Sequence, residues 1–213
     1  MKILVIDYGS GNLRSAAKAV ETAARDSAGA VSVTVSADAG DLRDADRIVL
    51  PGQGAFGDCM AGLAGLDGML ESLNDAVLNR AVPFLGICVG MQLMAAHGIE
   101  HGDHTGLGWF PGTVRRLTPS DPACKIPHMG WNDLVVDKPH PVLGGLPTGS
   151  HLYFVHSYAY DAIRDDEVIA HVDYGGFVTA AIGRDNMIGT QFHPDKSQAA
   201  GLRLLANFIG WRP

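Results

Sequence analysis

Cysteine is scarce in this chain. Three occur among 213 residues, Cys59, Cys88 and Cys124, odd in number and widely spaced. That pattern excludes a disulfide framework and a cysteine-based zinc site, and it suits a reducing cytoplasm. Basic charge is also in short supply, since 16 Lys and Arg against 23 Asp and Glu leave a net charge of −7. Phosphate backbones need a basic surface, so a general nucleic-acid binder is excluded. No stretch supplies the roughly 18 uninterrupted apolar residues of a membrane span. The apolar run from Met1 to Asp7 is too short for a signal peptide and reads as a first core strand. No linker, repeat or low-complexity segment stands out. Apolar residues make up 46% and charged residues 18%, which argues against disorder and for a substantial core. One domain spanning residues 1–213 is the expectation.

The first half alternates strand and helix signals. Strands are expected at 2–7, 31–35, 47–50 and 82–87, and helices at 13–24 (capped by Asn12), 56–63, 68–79 and 89–97. The second half carries short strand-like runs at 113–118, 133–137, 152–160, 168–172, 177–182 and 187–192, then a helix at 197–209. The rhythm predicts an α/β fold. An open, largely parallel sheet is flanked by helices, with additional antiparallel strands in the C-terminal half.

The segment Pro83-Phe84-Leu85-Gly86-Ile87-Cys88-Val89-Gly90-Met91-Gln92 carries the strongest chemical signal. An apolar strand ends in a cysteine between two glycines, and a helix-like segment follows. A sharp strand-to-helix turn needs small flanking residues, and it exposes its central residue as a nucleophile near a helix N-terminus. There the Val89 N–H can meet a developing oxyanion. A buried cysteine ending a core strand is the ordinary alternative.

A cysteine nucleophile needs a base, and the base an orienting group. Gln191-Phe192-His193-Pro194-Asp195-Lys196-Ser197 offers both. If the chain stays extended through Pro194, His193 and Asp195 leave the backbone on one side. A loop with Asp195 capping the last helix remains the alternative. The loop Leu50-Pro51-Gly52-Gln53-Gly54 lies at the C-terminal end of a parallel strand, where ligands of open sheets bind. Its backbone N–H groups are candidate oxyanion donors, though an ordinary turn reads the same way. His97, His101 and His104 lie close together among glycines. No cysteine joins them, and they read as loop histidines rather than a metal site.

These three motifs, in this order, resemble the class I (triad-type) glutamine amidotransferases, whose domains carry a P-G-x-G loop, a G-x-C-x-G-x-Q elbow and an F-H-P-E segment. Further strings, including residues 7–13, Lys125-Ile126-Pro127-His128-Met129-Gly130-Trp131-Asn132 and Tyr153-Phe154-Val155-His156-Ser157-Tyr158, resemble those of glutaminase subunits that feed a separate cyclase in histidine biosynthesis. The resemblance implies a reaction and assigns roles. Cys88 would attack the side-chain amide of L-glutamine, with His193 as acid–base and Asp195 as orienter. Gly52, Gln53 and Val89 would line the oxyanion hole, while Gly54, Gln92, His156, Ser157 and Tyr158 would hold the substrate. Pro127, His128, Met129, Trp131, Asn132 and Tyr153 would face the partner, a (β/α)8-barrel cyclase subunit in a cytoplasmic heterodimer. No cofactor and no metal are implied.

Two residues depart from the family pattern. Asp195 replaces the usual glutamate, shorter by one carbon–carbon bond of roughly 1.5 Å, and Gln53 stands where valine is usual. Other readings stay open on sequence: the glutaminase of another synthase, a catalytically weak regulatory subunit, or a general cysteine hydrolase.

Overall fold

The computed structural model describes residues 1–26 and 29–213. The chain opens with β1 (Lys2–Ile6), α1 (Leu13–Ala23), β2 (Ser32–Ser36) and β3 (Arg47–Gly52). It continues through α2 (Phe56–Ala64), α3 (Met69–Asn74), β4 (Phe84–Cys88) and α4 (Val89–Gln92). The second half holds β5 (Ala95–Ile99), β6 (Asp103–Thr105), β7 (Phe110–Arg116), β8 (His128–Val136), β9 (Ser150–His156) and β10 (Tyr158–Asp161). It ends with β11 (Val168–Asp173), β12 (Phe177–Arg184), β13 (Met187–Thr190) and α5 (Gln198–Gly210).

Among the described residues, one sheet has nine strands in the order β2-β1-β3-β4-β13-β12-β11-β8-β9. Its first five strands run parallel, and the ladders from β13 to β9 are antiparallel. The expected α/β architecture with a parallel first half is therefore present. The inner parallel strands are buried on both faces, so they read as largely apolar runs such as Ile3 to Ile6 and Phe84 to Ile87, whereas the edge strand β2 is partly exposed. Asn12 caps α1 as expected, its side chain accepting from the Ser15 N–H at 3.4 Å. Near the C-terminus the buried Arg47 guanidinium of β3 donates to Phe208 O (3.2 Å) and Ile209 O (3.3 Å) in the last turn of α5, and to Trp211 O just beyond it.

A second sheet of four strands, β10-β7-β5-β6, is not foreshadowed by the sequence pattern. It corrects two expectations. The helix expected over 89–97 stops at Gln92, and Ala95–Ile99 is a strand paired with β7 and β6. Gly98 lies so close to Phe56 that an added Cβ would stand 2.4 Å from its ring. The strand expected over 152–160 is two strands that break at Ser157, β9 pairing with β8 and β10 with β7.

Candidate active site

β4 delivers Cys88 to the C-terminal edge of the parallel sheet, and α4 begins at the next residue. Cys88 itself turns the chain, with φ 55° and ψ −112°, a conformation that non-glycine residues rarely hold. The flanking glycines allow it. A Cβ on Gly86 would stand 2.6 Å from Gly90 O, and one on Gly90 would stand 1.8 Å from Leu50 O. The sharp turn expected from the sequence is present. The residue is only 4% exposed. Its sulfur accepts a hydrogen bond from Gln191 Nε2 at 3.6 Å and lies 4.0 Å from Val155 O.

β13 runs parallel to β4, with Thr190 opposite Ile87. That register carries the following residues, Gln191 to His193, to the side of Cys88. The His193 backbone is pinned twice, its N–H donating to Tyr153 O (2.9 Å) and its carbonyl accepting from Ser197 Oγ (2.7 Å). The extended path expected through Pro194 is not adopted. Residues Pro194–Lys196 form a 3-10 turn, the ring of Pro194 occupying its first position. This turn, rather than strand alternation, swings Asp195 back under the imidazole. His193 Nδ1 and Asp195 Oδ1 are 3.6 Å apart, with both side chains enclosed. Charge-assisted hydrogen bonds of this type run about 2.8 Å, so a gap of roughly 0.8 Å remains. The shorter acid reaches an ion-pairing distance but not a hydrogen bond. The other ring nitrogen, Nε2, has no hydrogen-bond partner. Burial opposes charge on this ring, but Asp195 and the Cys88 sulfur outweigh it and raise its pKa to about 9.

Gly52 lies opposite Cys88 in the β3–β4 ladder. A Cβ there would meet Gly90 N at 2.6 Å, Tyr8 Oη at 2.7 Å and Val89 Cβ at 2.8 Å, so only glycine fits. The Gln53 carbonyl is gripped by two side chains, Ser10 Oγ and Cys59 Sγ, the latter at 3.4 Å. The Gln53 side chain is exposed, and Gly54 turns with φ +114°.

A cavity of about 510 Å³ opens over the sulfur. Its wall brings together Gln53, Gly54, Cys88, Val89, Gln92, His156, Ser157, Tyr158 and His193, residues drawn from four separated stretches of sequence. Gln92 serves the wall, with Nε2 donating to Tyr158 O (2.9 Å) and to Gln191 Oε1 (3.0 Å). Pro127, Met129 and Tyr153 stand at the same opening. Met129 and Trp131 are 65% and 47% exposed, on one face of β8, and Trp131 meets the Tyr153 ring edge-on at 5.9 Å. His128 departs from the expected partner face. It is 2% exposed, because strand alternation turns it and Asn132 to the opposite side of β8 from Met129 and Trp131.

Several site residues escaped the sequence reading. Gln191 sits in a strand-like run with no motif signal of its own. Ser10 and Cys59 act only through the Gln53 carbonyl. Glu100 lines the cavity and accepts from the first N–H of α2 at 2.8 Å, and Lys196 lies over the Tyr153 ring at 5.6 Å. A larger cavity, about 760 Å³, lies among Arg115, Lys138 and Phe177 and contains no cysteine. Among the described residues no group of three His, Cys, Asp or Glu is arranged to hold a metal, and no helix is long and apolar enough to cross a membrane.

The buried histidines give stability a pH dependence. Burial pushes His128 and His156 down to about 4 from an ordinary 6.5. The unfolded chain therefore takes up their protons first, and their contribution is complete above pH 6.5 and lost as pH falls toward 4. His193 has the opposite sign, its contribution present below 6.5 and lost as pH rises through about 9. Thermal melts across this range are expected to peak near pH 6.5. A midpoint that keeps rising on acidification would contradict the assignment of two neutral buried imidazoles.

Comparison with known proteins places the chain in a family. The profile of "Glutamine amidotransferase class-I" matches residues 4–210. The chain is 58% identical to "Imidazole glycerol phosphate synthase subunit HisH" of Rhodospirillum rubrum over the whole of both chains. It is 56% identical to the protein of the same description from Brucella abortus, again over both full lengths. Among solved structures, one described as a glutamine amidotransferase superposes with a TM-score of 0.73 at 16% identity, covering 97% of each chain. A glutamine amidotransferase from Thermotoga maritima superposes at 0.63 with 16% identity, covering 92% of this chain and 76% of that one. At these identities the two structures speak to the fold alone.

Proposed function

The chain belongs to the class I glutamine amidotransferase family, and on that premise we propose that Cys88, His193 and Asp195 hydrolyse the side-chain amide of L-glutamine. The protein works as the glutaminase subunit of an imidazole glycerol phosphate synthase, in histidine biosynthesis, and so functions with a partner subunit. In the proposed reaction His193 takes the Cys88 proton and the sulfur attacks the amide carbon. Backbone N–H groups of the Gly52–Gln53 loop and of Val89 receive the oxyanion. His193 then returns its proton to the departing nitrogen, and ammonia leaves. Asp195 behind the ring favours its protonated form and so supports this second task. Water hydrolyses the glutamyl thioester, with His193 activating it. Gly54 and the 156–158 segment hold the substrate, and Gln92 braces them.

The ammonia passes to a (β/α)8-barrel cyclase docked over Pro127, Met129, Trp131 and Tyr153. Met129 and Trp131 give exposed apolar surface, and Pro127, Met129 and Tyr153 stand at the cavity mouth. We place the protein in the cytoplasm, where its three free cysteines suit a reducing compartment.

The observation that carries the reading is that Cys88 and His193 line one cavity, with Asp195 Oδ1 3.6 Å from His193 Nδ1 behind the ring. The 3.6 Å gap also favours a second reading, a weakly active subunit, and one experiment separates them. Glutamate release is measured for the assembled synthase carrying wild type, Asp195→Ala or Asp195→Glu. Wild type is expected to turn over, Asp195→Ala to lose about 10-fold, and Asp195→Glu to equal or exceed wild type by closing the gap. Absence of glutamate release from wild type would overturn the glutaminase reading. An alanine variant as fast as wild type would remove Asp195 from the machinery.

A further inference from the structure

A line of hydrogen bonds runs from β8 to the sulfur, and its polarity follows from the groups at its ends. Asn132 Oδ1 accepts the Asp133 N–H at 2.8 Å, so its Nδ2 is the atom that faces Asp173 O (3.0 Å) and His128 Nε2 (3.4 Å). His128 Nδ1 lies 3.1 Å from His156 Nε2, and His156 Nδ1 lies 2.8 Å from Tyr158 O. A carbonyl only accepts, so His156 must carry its proton on Nδ1. Its Nε2 is then the acceptor, and His128 must donate from Nδ1. His128 Nε2 is left to accept from Asn132, which is what the amide orientation supplies. Every link is satisfied only when both rings are neutral Nδ1–H tautomers.

The line continues beyond Tyr158. Its carbonyl also accepts from Gln92 Nε2 (2.9 Å), which donates in turn to Gln191 Oε1 (3.0 Å), and Gln191 Nε2 donates to Cys88 Sγ (3.6 Å). Two donors thus fix one carbonyl from opposite ends of the line. His128 is held between aromatic rings, stacked on Tyr174 at 3.9 Å and on Phe154 at 4.8 Å. The stacks fix the plane of the ring, and its hydrogen bonds fix which nitrogen faces His156.

We infer that His128 is a positioning residue for the substrate pocket. By donating from Nδ1 to His156 it selects the His156 tautomer that grips Tyr158 O, and so fixes the 156–158 wall. It touches neither sulfur nor cavity. Its influence on turnover presupposes that glutamine is hydrolysed at Cys88, as proposed above.

His128→Phe keeps a ring in the aromatic stack and removes both hydrogen bonds. In the assembled synthase its KM for glutamine is expected to rise about 10-fold, equivalent to about 1.4 kcal/mol, with kcat lowered by less than about 3-fold. General loss of structure would depress kcat instead. A second measurement needs no variant. Proton–nitrogen correlation spectra of the full chain labelled with nitrogen-15 histidine are expected to show both rings protonated on Nδ1 and bare on Nε2 at neutral pH. A proton on Nε2 of either ring overturns the inference, as does a phenylalanine variant with wild-type KM. If that variant does not fold, the tautomers of the wild-type chain decide alone. A wild-type synthase that releases no glutamate overturns the reaction itself. Wild-type turnover beside a silent variant removes only the role of His128.

Discussion

Cys88→Ala is expected to abolish glutamine-dependent synthesis by the assembled synthase, a loss on the order of 10⁴-fold or more, while synthesis from free ammonium continues. No other thiol can substitute. Cys59 is buried under the Gln53 carbonyl, and Cys124 does not line the cavity. The alanine also makes a clean comparison. It keeps the Cβ and the same positive-φ turn, so it removes the sulfur without relieving or adding backbone strain. The measurement is product formation with glutamine and with ammonium, side by side. Parallel loss of both would show that the residue supports the fold or the partner contact rather than the chemistry. Retention of both would remove the nucleophile.

Gly90→Ala is expected to have the largest effect on stability. The new Cβ would lie 1.8 Å from Leu50 O and 2.8 Å from Leu50 C, both backbone atoms of β3. A clash with a flexible side chain resolves by rotation. A clash with a central strand resolves only by moving β3 or α4, and both are built into the core. A destabilisation of about 3 kcal/mol or more follows, or roughly 6–12 °C in Tm for a chain of this size. Gly210→Ala is the control, since nothing lies within 4 Å of a Cβ there, and its Tm should stay within a few degrees of wild type. Equal melting of the two variants would show that the elbow is looser than its geometry implies.

The parallel half of the fold was legible because its strands are continuous apolar runs separated by helical ones. The elbow is legible for a related reason, since glycines at 86 and 90 around a cysteine suit a sharp strand-to-helix turn. Ala95–Ile99 was not legible as a strand. Its composition is compatible with helix, and pairing with β7 and β6 decides its state. The same limit hid the break at Ser157, where an uninterrupted strand-like string changes sheets. At His128 the alternation of β8 is readable, but which of its faces meets solvent is not, and the imidazole expected at the partner face points inward. The nearness of His193 and Asp195, 3.6 Å apart, is readable from their order in the chain, but the backbone path that produces it is not. A 3-10 turn after Pro194 does what extended backbone was expected to do. Gln191 has no signal of its own, because a glutamine just past the end of β13 declares its purpose only when its partners, Gln92 and Cys88, are known.

The passage of the chain from one sheet to the other at Ser157 has a mechanical consequence. Residues 156–158 are at once the cavity wall and the crossing between two sheets that share no ladder at that point. The outline of a small hollow is therefore set by how two slabs meet, so that a substitution deep in either slab has a covalent route to the site.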